Sequence, residues 1–262
     1  MRAVIIAAGE GSRLSDHTDG IPKLFLELDG RTLYDRQLAS LESVCDHVTV
    51  VLGYGFVGES TDHNHDRPES PSTGVFDGEI RVVETSVDRE VDREKIGRLL
   101  ATDRELTVDA VVVPHWDRVE NAESCRHGLR AATGDALVLN GDIVYGDAII
   151  ETVVNHYATT VSERGRSLVA VKEGIQNEMT AVRWNSEGRI TAYGAIEGHQ
   201  VAGIFVVNDQ HLDRACEVLA ARPDDWFPVI FPVIESTYVP IPDGDHFEIN
   251  TPAHLAAAKR GL

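Results

Sequence analysis

A short run near the amino terminus gathers the residue types that bind phosphate. Gly9 and Gly11 flank Glu10, Ser12 and Arg13 follow at once, and Lys23 comes a little later behind Pro22. Glycines in this arrangement let backbone N–H groups approach an anion closely and form a phosphate-holding nest. Arg13 sets a forked cation beside the nest, and Lys23 adds a compact point charge whose direction Pro22 restricts. Such a set points to a grip on a nucleoside triphosphate, with Ala8, Gly9, Gly11, Ser12, Arg13 and Lys23 as its nucleotide-binding residues, although the glycines taken alone fit an ordinary tight turn equally well. Two common phosphate loops are excluded. Position 14 is Leu14 where the dinucleotide fingerprint needs its third glycine, and no Gly-Lys-Ser/Thr follows.

Asp142 is the leading candidate for holding a divalent cation beside those phosphates. It follows the apolar run Leu137-Val138-Leu139, and ligands of open α/β sheets lie beyond the carboxyl ends of the strands. An aspartate after a strand also caps turns, so both roles stay open. His63 and His65 form another metal-capable pair, but the polar stretch around them reads as a solvated loop. Lys172 is a candidate for a second phosphate, or an ordinary surface lysine.

The chain has 262 residues and a formal net charge of −19, which argues against nucleic acid or an anionic membrane as partner. Its only lysines are Lys23, Lys95, Lys172 and Lys259, so one inside a phosphate motif stands out. Abundant Asp and Glu with scarce Lys point to a salt-rich cytoplasm, where self-repulsion is screened; an ordinary acidic protein is the other reading. Cys45, Cys125 and Cys216 are widely spaced and lack a C-x-x-C pair, which fits a reducing cytosol. The amino terminus reads as a strand rather than a leader, and no apolar run is long enough for membrane insertion. The expectation is a soluble cytoplasmic protein.

The elements that must position these groups alternate between strand and helix. Ala3 to Ala8 reads as a buried strand of a parallel sheet. Thr32 or Asp29 caps a helix running to about Val44, and His47–Leu52 is the next strand, closed by Gly53. Residues 59–78 read as a polar surface loop, and the charged segment Ser86–Glu105 includes a short helix. Strands at Ile80–Val83, Ala110–Val113 and Ala136–Leu139 alternate with helices at Asn121–Ala132 and Ala148–Thr159. The chain then turns β-rich, with strands at 168–171, 180–184, 189–193 and 204–207, before helices at 209–221 and 252–259. The spacing predicts a single α/β domain spanning 1–262.

The string Ala7-Ala8-Gly9-x-Gly11-x-Arg13-Leu14 followed by Pro22-Lys23 resembles the opening of the nucleotidyltransferases that condense an NTP with a phosphorylated alcohol or sugar. The likeness runs in order through residues 2–28, 47–54, 116–142, 180–207 and 246–260. Leu137 to Asp142 resembles that family's strand-then-Gly-Asp motif, whose aspartate holds the metal. Glu248-Ile249-Asn250-Thr251-Pro252 resembles its Glu-Ile-Asp-Thr-Pro segment, whose aspartate completes the metal site; Asn250 stands in that place. The amide oxygen still offers Mg²⁺ a ligand, at one negative charge less, with Glu248, Asp243 or Asp245 near in sequence to compensate. On that view Asn250→Asp tightens magnesium binding. The alternative is that Asn250 caps the final helix.

Trp116 to Ser124 resembles the aromatic-then-Asn-x-x-Ser segment of the phosphocholine and inositol-phosphate cytidylyltransferases. That likeness places Asn121 and Ser124 near the nucleoside, although Asn121 reads equally as a helix cap. Gly53 matches a family turn that borders the base. Glu178-Met179-Thr180 and Val201–Phe205 resemble stretches bordering the acceptor, with Lys172 and Glu178 as acceptor-binding candidates. Trp184, Trp226 and Tyr145 form a candidate cage for a quaternary ammonium group, against ordinary core packing.

The resemblance implies a three-layer αβα sandwich around a mostly parallel, mixed sheet of the Rossmann-like nucleotidyltransferase kind, with a β-rich acceptor-side part at about 168–207. It implies Mg²⁺-dependent transfer of a nucleoside monophosphate, with CMP from CTP favoured, to a phosphorylated small alcohol, releasing pyrophosphate. Lys23, Arg13 and Asp142 are then the catalytic residues, and Asp142 and Asn250 the metal ligands. A sugar-1-phosphate nucleotidyltransferase using UTP or dTTP is the nearest alternative. A catalytically impaired, nucleotide-binding regulatory subunit is the other, and Asn250 favours it.

Overall fold

The computed structural model describes residues 1–14, 20–58, 74–146, 148–172, 180–242 and 246–261. Strand β1 (Arg2–Ala7) is the apolar run ahead of the glycine turn. Successive residues of a strand face opposite sides of the sheet. Ala3 and Ile5 accordingly enter one core, and Val4 and Ile6 the other. A strand apolar on both faces must be covered on both, which is the setting of a parallel sheet between helix layers.

That sheet begins with β2 (His47–Leu52), β3 (Ile80–Val82), β4 (Thr107–Val112) and β5 (Ala136–Asn140), in the spatial order β3-β4-β2-β1-β5. These neighbours all pair in parallel. Strand β6 (Ile143–Tyr145) leaves the sheet. The mixed half contains β7 (Ser167–Lys172), β8 (Ala181–Trp184), β9 (Ile190–Gly194), β10 (His199–Val207) and β11 (Ser236–Pro240). Strand β10 runs antiparallel to β5, β7 and β8, while β11 runs parallel to β7. A final strand, β12 (His246–Glu248), pairs antiparallel with β6 outside the sheet.

Helices α1 (Leu33–Leu41), α2 (Arg93–Leu100), α3 (Asn121–Ala131), α4 (Ile149–His156), α5 (Leu212–Ala220) and α6 (Pro252–Gly261) supply the outer layers. Leu33, Leu38, Ile96, Ile149 and Val153 cover the face shown by Ile5, whereas Ala122, Cys125, Leu129, Ala215 and Leu219 cover the face shown by Val4. The three-layer mixed sheet is thus the expected architecture. Helix α3 lies especially close to the sheet: a Cβ on Gly128 would sit 2.4 Å from Val4 Cγ1. Only a glycine lets the helix that carries Asn121 and Ser124 approach β1 so nearly.

Several boundaries differ from the sequence expectation. Thr32, not Asp29, caps α1: its Oγ1 accepts from Asp35 N (3.0 Å) and the Asp35 carboxylate accepts from Thr32 N (3.2 Å). Helix α1 ends at Leu41, and α4 ends at His156 before a π turn over Tyr157–Val161. Strand β10 extends back to His199, with Gly203 at φ +69° where its register against β7 shifts. Strands β11 and β12 are too short and too half-exposed to announce themselves by alternation. The short helix expected within Ser86–Glu105 is α2. His63 and His65, with most of the polar stretch at 59–78, lie outside the described residues.

Candidate active site

The carboxyl ends of β1 and β5 open onto a cleft of about 250 Å³. Its wall is built from Ala8, Gly9, Gly11 and Arg13 of the first turn, Lys23, Asn121 and Ser124 at the head of α3, and Asp142 beyond β5. Asn250, ahead of α6, closes it. The two glycines have different tasks. Gly9 meets no atom within 4 Å where a Cβ would stand, so its backbone faces open space. Gly11 has φ +62°, and a Cβ there would lie 2.5 Å from Lys23 Cε. Any side chain at Gly11 would therefore strain the turn and displace the lysine.

Two expected nucleotide-binding residues do not line this cleft. Ser12 is exposed in the short 3₁₀ turn Ser12–Leu14. Gly53 supports the cleft from behind: a Cβ would meet Trp116 Cβ at 2.6 Å and the Ala8 carbonyl oxygen at 2.8 Å. Trp116 itself does line the cleft, packed edge-on against Tyr54 with ring centroids 5.2 Å apart.

Lys23 stands at the centre. Its Nζ donates to Asp142 Oδ2 (3.2 Å) and to Asn250 Oδ1 (2.7 Å). The lysine side chain is only 11% exposed, so this ammonium is held largely out of water by two oxygen partners. Asn250 in turn donates through Nδ2 to Glu248 Oε1 (2.5 Å). Burial, and then the Asp142 carboxylate, push the Glu248 carboxyl above its ordinary value. The β6–β12 pairing creates this arrangement by setting Ile143 opposite Glu248. Ile249 N then donates to the Asp142 carbonyl at 2.9 Å, which brings the Asp142 and Asn250 side chains together.

Neither asparagine is the cap its sequence position allowed. Thr251 caps α6, its Oγ1 accepting from His254 N (3.2 Å), which leaves the Asn250 side chain to Lys23 and Glu248. Asn121 is the first residue of α3, and its Oδ1 accepts from Phe227 N (2.8 Å). Behind Ser124, Glu123 is buried and bonded to Arg126 and His127. Burial alone would raise its carboxyl, but those bonds outweigh it and hold the group well below the usual carboxylate range.

The donor set can be tested against a divalent cation. Asp142 and Asn250 direct two oxygens at one point, which Lys23 Nζ now bonds. Among the described residues no group of three or more His, Cys, Asp or Glu converges as a metal cluster. One carboxylate and one amide oxygen, completed by water and phosphate, suit Mg²⁺, which keeps waters and rarely takes an all-protein cage.

A second lobe of about 180 Å³ shares Arg13, Asn121, Asn140, Trp226, Glu248 and Asn250 with the first. It continues along Thr180, Val201, Phe205, Phe227, Pro228 and His254. Trp226 is 45% exposed at the junction of both lobes. Backbone bonds stitch its segment to the head of α3, from Glu120 N to Pro223 O (2.9 Å) and from Ala122 N to Asp225 O (3.2 Å). Sequence reasoning missed Phe227, Pro228 and His254. The visible signal was an apolar Trp-Phe-Pro run directly after the acidic pair Asp224-Asp225.

The ammonium cage is not formed. Trp184 stacks between Tyr238 (3.5 Å between centroids) and His199 (4.3 Å), and Tyr145 is buried, donating its hydroxyl to Gly203 O (2.7 Å). Of the three aromatics only Trp226 reaches the cleft. Lys172 lines neither lobe, and Glu178 lies outside the described residues, as do Asp243 and Asp245.

A mixed sheet whose parallel strands end on a glycine turn, a lysine clasped by an aspartate and an amide, and an adjoining second lobe defines a protein of the nucleotidyltransferase class. Residues 3–215 match the model of the MobA-like NTP transferase domain, and the chain belongs to that family. Among solved structures it is similar to the inositol-1-phosphate CTP transferase from T. maritima, at 17% identity and TM-score 0.66, covering 100% of this chain and 97% of that one. It is also similar to the CTP:phosphocholine cytidylyltransferase from Streptococcus pneumoniae, at 11% identity and TM-score 0.65, covering 99% and 97%. A nucleoside-diphosphate-sugar pyrophosphorylase from Vibrio cholerae RC9 follows at 14% identity and TM-score 0.63, covering 99% and 100%. At these identities the likeness concerns the fold.

The ribbon that positions Asp142 and Asn250 also contains a buried imidazole. His246 on β12 is 5% exposed, and its Nε2 has no hydrogen-bond partner among the described residues. Burial, helped by the charge of Lys172, pushes this imidazole down to about 4. The unfolded chain takes up that proton first, near an ordinary value of about 6.5, so the stability His246 contributes is complete above that pH and is lost as pH falls towards 4. Between about pH 7 and pH 4 the parent should lose roughly 3 kcal/mol of stability relative to His246→Phe, measured by urea unfolding. Parallel pH profiles for the two proteins would show that His246 is not buried in its neutral form.

Proposed function

We propose that the chain transfers a nucleoside monophosphate from an NTP to the phosphate of a small phosphorylated alcohol. The single observation that carries this reading is the Lys23 ammonium fixed between Asp142 and Asn250, directly beside the glycine turn. An acceptor phosphate oxygen attacks the α-phosphorus in line, the bond to the β-phosphate oxygen breaks, and pyrophosphate leaves with that electron pair. Two anions must meet, so positioning and charge neutralisation supply most of the acceleration. Gly9, Gly11 and Arg13 hold the triphosphate tail. An ammonium has three donors, and Asp142 and Asn250 take two, leaving one for an α-phosphate oxygen. Arg13 borders both lobes and so can neutralise the approaching acceptor phosphate as well.

Asn121 and Ser124 border the nucleoside side of the cleft, with Trp116 beside them. The second lobe takes the acceptor, its carbon body against Trp226, Phe227 and Pro228. CTP is favoured as donor because two of the similar structures are named for CTP-dependent transfer. The pyrophosphorylase likeness supports a sugar-1-phosphate acceptor with UTP or dTTP as the second reading. Mg²⁺ would be held by Asp142 and Asn250 together with the phosphates, and when bound it supplies further neutralising charge there. A regulatory subunit is the reading that Asn250 favours and that Arg13, Lys23 and Asp142 oppose.

Pyrophosphate release with a panel of NTPs and acceptor phosphates separates these readings. Lys23→Ala should lower turnover by about 10²–10³, the usual cost of one such electrostatic contact, while nucleotide affinity falls far less. A folded Lys23→Ala protein with parental turnover at saturating substrates would reduce Lys23 to a structural ion-pair partner. Release from no NTP at all would favour the regulatory reading.

The acidic balance favours a salt-rich cytoplasm as the working medium. Among the described residues no helix is long and apolar enough to cross a membrane. With a net charge of −19, self-repulsion should weaken as the Debye length shortens from about 10 Å at 0.1 M salt towards about 3 Å at 1 M. The melting temperature should therefore climb as KCl is raised over that range, and a flat or falling curve would contradict the assignment.

A further inference from the structure

The head of α3 and the start of the 3₁₀ turn Phe227–Ile230 each have backbone groups that their own element cannot satisfy. They satisfy one another. Glu120 N donates to Pro223 O (2.9 Å) and Ala122 N to Asp225 O (3.2 Å). In return the Asn121 side chain accepts from Phe227 N through Oδ1 (2.8 Å). The cap position of the turn is Trp226, whose indole has no acceptor to offer, and Pro228 has no N–H. Phe227 N is therefore the donor at the start of this turn that needs a partner from another element, and Asn121 supplies it.

The exchange fixes the backbone on both sides of Trp226. On one side Phe227 is fully buried, its ring packed edge-on against Phe205 with centroids 4.6 Å apart. On the other, Pro223 and Asp225 are bonded to the head of α3. Between these anchors the indole stands 45% exposed at the junction of the two lobes. A turn whose first N–H is satisfied by another helix does not need Ser, Thr, Asp or Asn at its own cap, which leaves that position open to an aromatic ring.

We propose that Asn121 is a positioning residue for the acceptor lobe: its side-chain oxygen holds the turn that presents Trp226, Phe227 and Pro228, so it acts on the acceptor more than on the nucleotide. The proposal rests on the transfer reading for what occupies the second lobe, but not for its geometry. The sequence motif alone pointed Asn121 at the nucleoside, whereas its oxygen is engaged by Phe227, a residue of the second lobe. An apolar wall that is already fixed loses little freedom when a ligand settles on it. Without the Asn121 oxygen the acceptor must order Trp226 and its neighbours as it binds, and its affinity falls.

The test measures KM for the acceptor and for the NTP, using the pair that gives the fastest turnover in the substrate panel. Asn121→Ala should raise the acceptor KM about tenfold, and at least about three times further than the NTP KM. Trp226→Ala should raise the acceptor KM to a similar extent. Adding Asn121→Ala to it should raise that KM by less than about threefold more, because a residue that acts through another does not add to its loss. An NTP KM that rises as far as the acceptor KM in Asn121→Ala, or a double variant in which the two rises multiply, overturns the proposal. If the parent turns over no NTP with any acceptor, the transfer reading has failed and the geometry is judged by hydrogen exchange of the Phe227 amide. Relative to the amides of β1, it should exchange about tenfold faster in Asn121→Ala and near the parent rate in Asn121→Asp, whose carboxylate also accepts. Equal exchange in the parent and Asn121→Ala overturns it.

Discussion

The ammonium of Lys23, shared by Asp142 and Asn250, is the constraint on which the rest of the site depends. A charge held this far from water is stable only while its partners stay in place. The lysine and its two partners come from three distant parts of the chain: the turn after Pro22, the end of β5, and the link between β12 and α6. Gly11 must lack a side chain so that the lysine can pass, and φ +62° there suits glycine in any case. The β6–β12 ribbon must keep its register so that Asp142 meets Ile249 and Asn250 follows. Gly128 must let α3 settle against Val4 so that Asn121 and Ser124 reach the same cleft.

This local cation contrasts with the molecule around it. The chain has a formal charge of −19, yet the residues closest to the glycine turn include Arg13 and Lys23. At long range the protein repels a triphosphate, and at contact it attracts one. Salt reconciles the two, because it screens the distant charges while leaving close, partly buried pairs largely intact. On the proposed reading, discrimination among ligands falls to short-range features, such as the fixed amide of Asn121 and the exposed Trp226 between the lobes.

Much of this was legible in the sequence because its signals are local. An apolar run before a glycine turn reads as a strand buried on both faces, and Lys23, Asp142 and Asn250 each sit in short strings that resemble a family's motifs. What could not be read locally was the competition for side chains. Asn250 and Asn121 both stand where a cap belongs, and whether they cap depends on Thr251 and on Phe227, which takes the Asn121 oxygen. The cage of Trp184, Trp226 and Tyr145 failed for the same reason. The stacking partners of Trp184 lie on other strands, His199 on β10 and Tyr238 on β11. The second lobe was legible only in part: Thr180 and Val201–Phe205 resemble stretches bordering an acceptor, but Phe227 and His254 join them only through the mixed half of the sheet and the 223–227 segment.

The central claim of the proposed function concerns which phosphate bond is broken, since that reading sets Lys23 at the α-phosphorus rather than at the end of the triphosphate. Parallel reactions with NTP labelled in the α- or the γ-phosphate, using the NTP and acceptor that support turnover, address it directly. The expected result is that the α-label joins the acceptor in the product while the γ-label appears only in pyrophosphate. Label from the γ-position in the acceptor product, or in free orthophosphate without pyrophosphate, would contradict the account.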